Sequence, residues 1–177
     1  AALGGYKDIV EYLVQHGADI NLQGGIYGTA IAAAAYKGHQ NIVEDLVQHG
    51  TDINLQGGTY GTPIAAAAFG GQQDVVEYLL QHGADINLQG GDFGTAIVAS
   101  ASQDINLQGS QYGTAVAAAA SQGDQNIVEY LVQHGADVNL QGGEYGTAIE
   151  VAAWWGYQNI VEYLLQHGAV LNLQGGD

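Results

Sequence analysis

The chain has 177 residues, 47% of them apolar, which is enough for one domain with a substantial core. It carries 18 acidic and 2 basic residues for a formal net charge of −16; with Lys7 and Lys37 as its only cations it lacks the main electrostatic term for nucleic acid or anionic membranes, and basic proteins, basic peptides or cations are the better partners. No run of 18 apolar residues spans a membrane, neither end reads as a signal peptide, and the absence of cysteine excludes disulfides and thiol catalysis and fits a reducing, cytoplasmic setting.

The dominant pattern is a repeat. Gly17-Ala18-Asp19-Ile20-Asn21-Leu22-Gln23-Gly24-Gly25 returns at 50–58 and 83–91, each time 33 residues on, then at 135–143 and, less closely, at 168–176. A fixed period of this size signals a solenoid, whose units bury their apolar faces only against neighbours. Gly83 and Gly135 lie 52 residues apart, 19 more than one period, so one unit is 14 residues short. In the same alignment Ala2 matches Ala35 and Asp177 matches Glu144. The chain therefore opens late in one unit and stops partway through another, and a fragment of a longer, receptor-like array is expected.

In chain order, Asp19 to Gly28 is rich in turn residues and suits a projecting hairpin-like finger. Thr29 to Ala35 reads as a short helix with Thr29 near its N-cap and a small alanine surface that lets neighbouring helices approach closely. Asn41 to Gly50 places Ile42, Val43, Leu46 and Val47 on one helical stripe. Asn41, like Asp8, Asp74, Asn126 and Asn159 in its column, precedes a glutamate by three in a capping-box-like start. Gly50 is placed for the left-handed turn that ends the helix. The expected fold is an all-α solenoid of helix-turn-helix units with projecting fingers, interrupted near 103/104. It is expected as a single array over 1–177, in blocks 1–103 and 104–177 around the truncated unit.

That unit runs from Gly94 through Gln103 directly into Asp104-Ile105-Asn106-Leu107, without a second helix. A first helix of ten residues travels about 15 Å away from the finger side, so the next finger would begin at the wrong end. Either a true deletion divides the solenoid, or about one helix of chain is missing from the numbering. The second reading is preferred, because a deletion should expose apolar faces on both sides.

These residues resemble the ankyrin repeat: Thr62-Pro63-Ile64 with Ala66-Ala67-Ala68, Gly38-His39, Val75-Val76-Glu77-Tyr78-Leu79-Leu80, and Gly135-Ala136-Asp137-Val138-Asn139. The resemblance covers essentially the whole chain. Two departures stand out: the histidine that the family carries after Thr-Pro-Leu is Ala32 here, and proline survives once, at Pro63. The Gly-Gly-x-Tyr-Gly finger is similar to the near-identical ankyrin arrays of fungal NOD-like receptors. The resemblance implies binding of a protein or peptide on a concave face formed by finger tips and first helices.

Catalysis and cofactors find no support. His16, His49, His82, His134 and His167 share one column just before the helix-ending glycine, where a cation-friendly residue suits the helix C-terminus. Packed helices lie about 8–10 Å apart, too far for ligands that each sit about 2.1 Å from one zinc ion. The columns Asp19, Asp52, Asp85, Asp104, Asp137 and Glu11, Glu44, Glu77, Glu129, Glu162 are equally regular, whereas paired catalytic carboxylates need unequal environments. The Gly24-Gly25-Ile26-Tyr27-Gly28-Thr29 stretch lacks the lysine of a phosphate loop and recurs in five copies. No enzyme activity, metal or cofactor is expected.

Comparison of the copies singles out the columns that vary. The finger tips read Ile26, Thr59, Asp92, Gln111 and Glu144. The end of the first helix reads Leu3, Tyr36, Phe69, Ser121 and Trp154, followed by Gly4, Lys37, Gly70, Gln122 and Trp155. Just beyond come Tyr6, His39, Gln72, Asp124 and Tyr157. A tip that accepts Ile, Thr and Asp is exposed, and exposed aromatics among polar neighbours make binding hot spots. We therefore expect partner contacts at Ile26, Thr59, Asp92, Gln111, Glu144, Tyr36, Lys37, Phe69, Gln122, Trp154 and Trp155, with drift on a solvent face as the alternative. The uniform ring column Tyr27, Tyr60, Phe93, Tyr112 and Tyr145 reads instead as a packed ladder between fingers. A structural role, with uncapped ends stacking head to tail into filaments, is the second functional reading.

Overall fold

The computed structural model describes residues 1–88, 114–141 and 146–171. A 3-10 turn at Ala2–Gly4 precedes nine described α-helices, and no strand occurs among the described residues. The first helices of successive units are α2 (Ala30–Tyr36), α4 (Pro63–Phe69), α6 (Ala115–Gln122) and α8 (Ala148–Trp155). The second helices are α1 (Lys7–Gln15), α3 (Gln40–Gln48), α5 (Gln73–Gln81), α7 (Gln125–Gln133) and α9 (Gln158–Gln166). This is the all-α solenoid that the period specifies. The interruption near 103/104 falls at 89–113, outside the described residues.

Each first helix begins where its threonine caps it. The Oγ1 of Thr29, Thr62 and Thr114 accepts the N–H of Ala32, Ala65 and Ala117 at 3.2 Å in each case. Pro63 opens α4 at a position where its missing N–H costs nothing. At α8 the arrangement is reciprocal: Thr147 Oγ1 accepts the Glu150 N–H, and Glu150 Oε2 accepts the Thr147 N–H at 2.7 Å.

The second helices start differently from the sequence expectation. Their N-caps fall two residues earlier, at His39, Gln72, Asp124 and Tyr157 in place of the Asn41 column, and make no side-chain capping bond. The glutamates are claimed sideways instead: Gln40 Nε2 donates to Glu44 Oε1 at 2.8 Å, and Gln73 to Glu77 at 2.9 Å. A glutamine one turn before the glutamate faces it on the helix surface, so the i,i+4 pair displaces the capping box. The helix ends behave as the sequence indicates. His49 donates its Nδ1–H to the Asp45 carbonyl at 2.8 Å, Gly50 takes φ 85°, and the Thr51 N–H bonds the Leu46 carbonyl at 3.1 Å.

The core lies between the two helix rows. Ile42, Val43 and Leu46 of α3 are buried, as are Val75, Val76 and Leu79 of α5, against the alanines of α2, α4 and α6. Alanine lets successive first helices pack along most of their length, whereas successive second helices meet at only a few positions. Unequal spacing bends the stack with the first-helix row on the inside.

Asparagines register the units. Asn54 Oδ1 accepts the Asp85 N–H at 2.8 Å while its Nδ2 donates to the Gly83 carbonyl at 3.1 Å. Asn139 binds the Val170 N–H and the Gly168 carbonyl in the same way, at 2.8 and 2.9 Å. Asn87 makes the equivalent pair to Asp137 and Gly135, at 2.7 and 3.1 Å.

Candidate partner-binding face

The inner side of the bend is built from fingers and first helices. Each described finger closes on itself, with Gly24 N–H bonded to the Gly28 carbonyl at 2.7 Å and Gly57 N–H to the Gly61 carbonyl at 2.6 Å. Adjacent fingers also bond to each other: Thr59 N–H to the Ile26 carbonyl at 2.7 Å, and Gln23 Nε2 to the Gln56 carbonyl at 3.0 Å. That approach needs glycine. A Cβ on Gly58, at φ 67°, would stand 2.3 Å from the Tyr27 carbonyl carbon.

Behind the tips the rings form one stack. Tyr27 and Tyr60 of neighbouring fingers lie 6.0 Å apart between centroids, as the ladder expectation has it. Two variable helix-end rings enter the same stack: Tyr36 sits 5.1 Å from Tyr27 and 5.2 Å from Tyr60, and Phe69 4.6 Å from Tyr60. Tyr36 and Phe69 are therefore half-buried. Lys37 covers the Tyr36 ring at 4.9 Å from its centroid and is itself exposed. Phe93, Tyr112 and Tyr145 lie outside the described residues, as do the tips Asp92, Gln111 and Glu144.

The remaining expected contacts differ in exposure. Ile26 is 67% exposed, Trp154 75% and Trp155 51%, and Gln122 is also exposed. Thr59 is half-buried, its backbone N–H already engaged. The column of Tyr6, His39, Gln72, Asp124 and Tyr157, read as variable, has a role that single-sequence reasoning missed. From His39 onward these side chains rest on the turn glycine of the preceding unit, with His39 over Gly5, Gln72 over Gly38, Asp124 over Gly71 and Tyr157 over Gly123. The glycine column was visible in the sequence, but its occupant comes from 33 or more residues away.

Charge is segregated. Among the described residues of the first helices the only carboxylate is Glu150, which is spent on its cap. Glu44, Glu77, Glu129 and Glu162 lie on the second-helix row, and Asp52, Asp85 and Asp137 in the connecting turns. There burial, helped by the Glu44 carboxylate, raises the Tyr78 hydroxyl pKa, and burial with Glu77 does the same to Tyr130. The histidines of this row donate Nδ1–H to the carbonyl four residues back, at 2.7–2.8 Å, and stack on Tyr12, Tyr78, Tyr130 and Tyr163 in all units except that of Asp45. Among the described residues no three potential ligands converge on a metal position.

Two antiparallel helices per unit, a closed finger, an alanine-lined inner row and asparagine-registered junctions define a helical-repeat solenoid. The model of the family described as ankyrin repeats (3 copies) matches residues 1–90 and 92–175, and the chain belongs to the ankyrin-repeat family. No curated protein matches the chain. Ankyrin repeats are generic protein–protein interaction modules without catalytic function. No described helix is long and apolar enough to cross a membrane.

Proposed function

We propose that the array is a recognition scaffold that binds a protein or peptide on the inner face formed by fingers and first helices. The observation that carries this reading is the coincidence of variation with exposure. On the first helices the frozen columns, such as Ala34, Ala67, Ala119 and Ala152, are buried. The frozen columns that are exposed, such as His49 and Asp52 with their counterparts, lie at the ends of the second helices and in the turns that follow them. Ile26, Lys37, Gln122, Trp154 and Trp155, by contrast, vary and are exposed on the fingers and first helices. The two adjacent tryptophans supply rigid apolar anchors of the kind that dominate interface energetics. Because the acidic groups sit on the opposite row, the net charge of −16 steers a basic partner over long range rather than pairing with it at the contact. Asp92, Gln111 and Glu144 would extend the tip row. By resemblance, the array would serve as the sensor segment of a receptor similar to the fungal NOD-like proteins.

The test is a peptide selected from a random library on the intact chain. Replacing Trp154 and Trp155 together by alanine should weaken its binding at least tenfold, equivalent to about 1.4 kcal/mol or more, while Gln48→Ala with Gln133→Ala on the outer row leaves it unchanged. Equal affinity for the tryptophan variant would remove these residues from the site. Head-to-tail self-association of the array is the second reading. A light-scattering mass that stays constant with concentration would count against it.

A further inference from the structure

Where the sequence is least regular, the stack keeps its register. At each regular junction the asparagine reaches an N–H 31 residues on and, from Asn54 and Asn139, a carbonyl 29 residues on. Asn87 makes the same two bonds across 50 and 48 residues. Both separations are longer by the same 19 residues that set Gly83 and Gly135 out of period. Other contacts repeat in step. Helix α4 packs against α6 as α2 packs against α4, and Ile64, Ala65, Ala67 and Ala68 on one side and Ala115, Val116, Ala118 and Ala119 on the other are at most 2% exposed. Asp124 rests over Gly71 as Gln72 rests over Gly38, and Tyr130 feels Glu77 as Tyr78 feels Glu44. A break in the solenoid would leave these apolar faces open, and a missing helix would leave the asparagine bonds without partners.

We propose that the solenoid is one continuous stack and that the surplus residues are an insertion into the connection between α5 and α6, not the remnant of a unit that the stack requires. The sequence marks the insertion. Joining Gly94 directly to Thr114 restores the finger-to-helix phrase Gly-Gly-Asp-Phe-Gly-Thr-Ala-Val and returns Gly83 and Gly135 to a spacing of 33. The row of first helices then runs unbroken from Ala30 to Trp155, so that one partner meets four consecutive helices instead of two shorter surfaces.

The test removes residues 95–113 from the full chain and compares the two proteins by circular dichroism and calorimetry. The intact chain is expected to unfold in one transition. The shortened chain should keep its helical signal and single transition, with Tm unchanged or higher by about a few degrees, because a shorter connection costs less closure entropy. Asn87→Ala in the intact chain should lower the whole transition. Two transitions in the intact chain, loss of structure on deletion, or an Asn87→Ala transition identical to that of the parent would each overturn the proposal.

Discussion

Thr51 shows how a single residue departs from its repeat. Its column holds Ala18, Ala84, Ala136 and Ala169, and its Oγ1 is buried without a hydrogen-bond partner. An unsatisfied hydroxyl costs about 1–3 kcal/mol, and a methyl group of the same shape does not. Thr51→Val should therefore raise Tm by about 2–4 °C for each kcal/mol recovered, read by thermal denaturation; a lower Tm would show that the hydroxyl has a use. Asp124 is the second such position. Burial raises its carboxyl pKa above the ordinary value of 3.8, so the native state holds the proton more tightly and the ionised group opposes folding at neutral pH. The penalty is absent below about pH 3.8 and complete above the raised native value. Asp124→Asn should be more stable than the parent at pH 7, with the difference shrinking as the pH falls toward 3.8. A difference that grows on acidification would reverse this assignment.

At the scale of elements, the fingers depend on backbone contact rather than on side chains. Gly58 and Gly25 have nearly the same dihedral, φ 67° and 69°, but only Gly58 touches the neighbouring finger; a Cβ on Gly25 meets nothing within 4 Å. Gly25→Ala should cost about 1–2 kcal/mol for the left-handed conformation alone. Gly58→Ala adds a backbone clash and disturbs the Thr59–Ile26 bond, so it should cost at least about 1 kcal/mol more. Equal losses in denaturant titrations would mean that the fingers do not pack together in solution.

The elements also show what a lone sequence makes legible. Among the described residues the helices, the threonine caps and the helix-ending glycines follow from local spacing, apart from the earlier starts of the second helices. The glutamate of the second helix was misread because both a cap and an i−4 glutamine compete for it, and spacing alone does not rank them. The ring stack was half legible: a uniform aromatic column signals packing, but Tyr36 and Phe69 come from a variable column and join the stack only through tertiary proximity. Of the eleven expected contact residues, Ile26, Lys37, Gln122, Trp154 and Trp155 are exposed, Tyr36, Phe69 and Thr59 are half-buried, and Asp92, Gln111 and Glu144 lie outside the described residues. The asparagine bonds were invisible, because their partners lie in the next unit.

For the whole molecule, the described first helices carry a single carboxylate, Glu150, whereas the second helices and connecting turns carry most of the described acidic residues. Repeats that contact only their neighbours spread stability along the stack, and the proposed recognition rests on side chains that packing leaves exposed. The most direct measurement is hydrogen–deuterium exchange on the intact chain, with and without the library-selected peptide. Bound peptide should slow exchange in the fingers and first helices, at 24–37, 57–69 and 146–156, and leave the second helices at 40–48, 73–81 and 125–133 unchanged. Protection confined to the second-helix row would contradict the inner-face reading and place recognition on the acidic side.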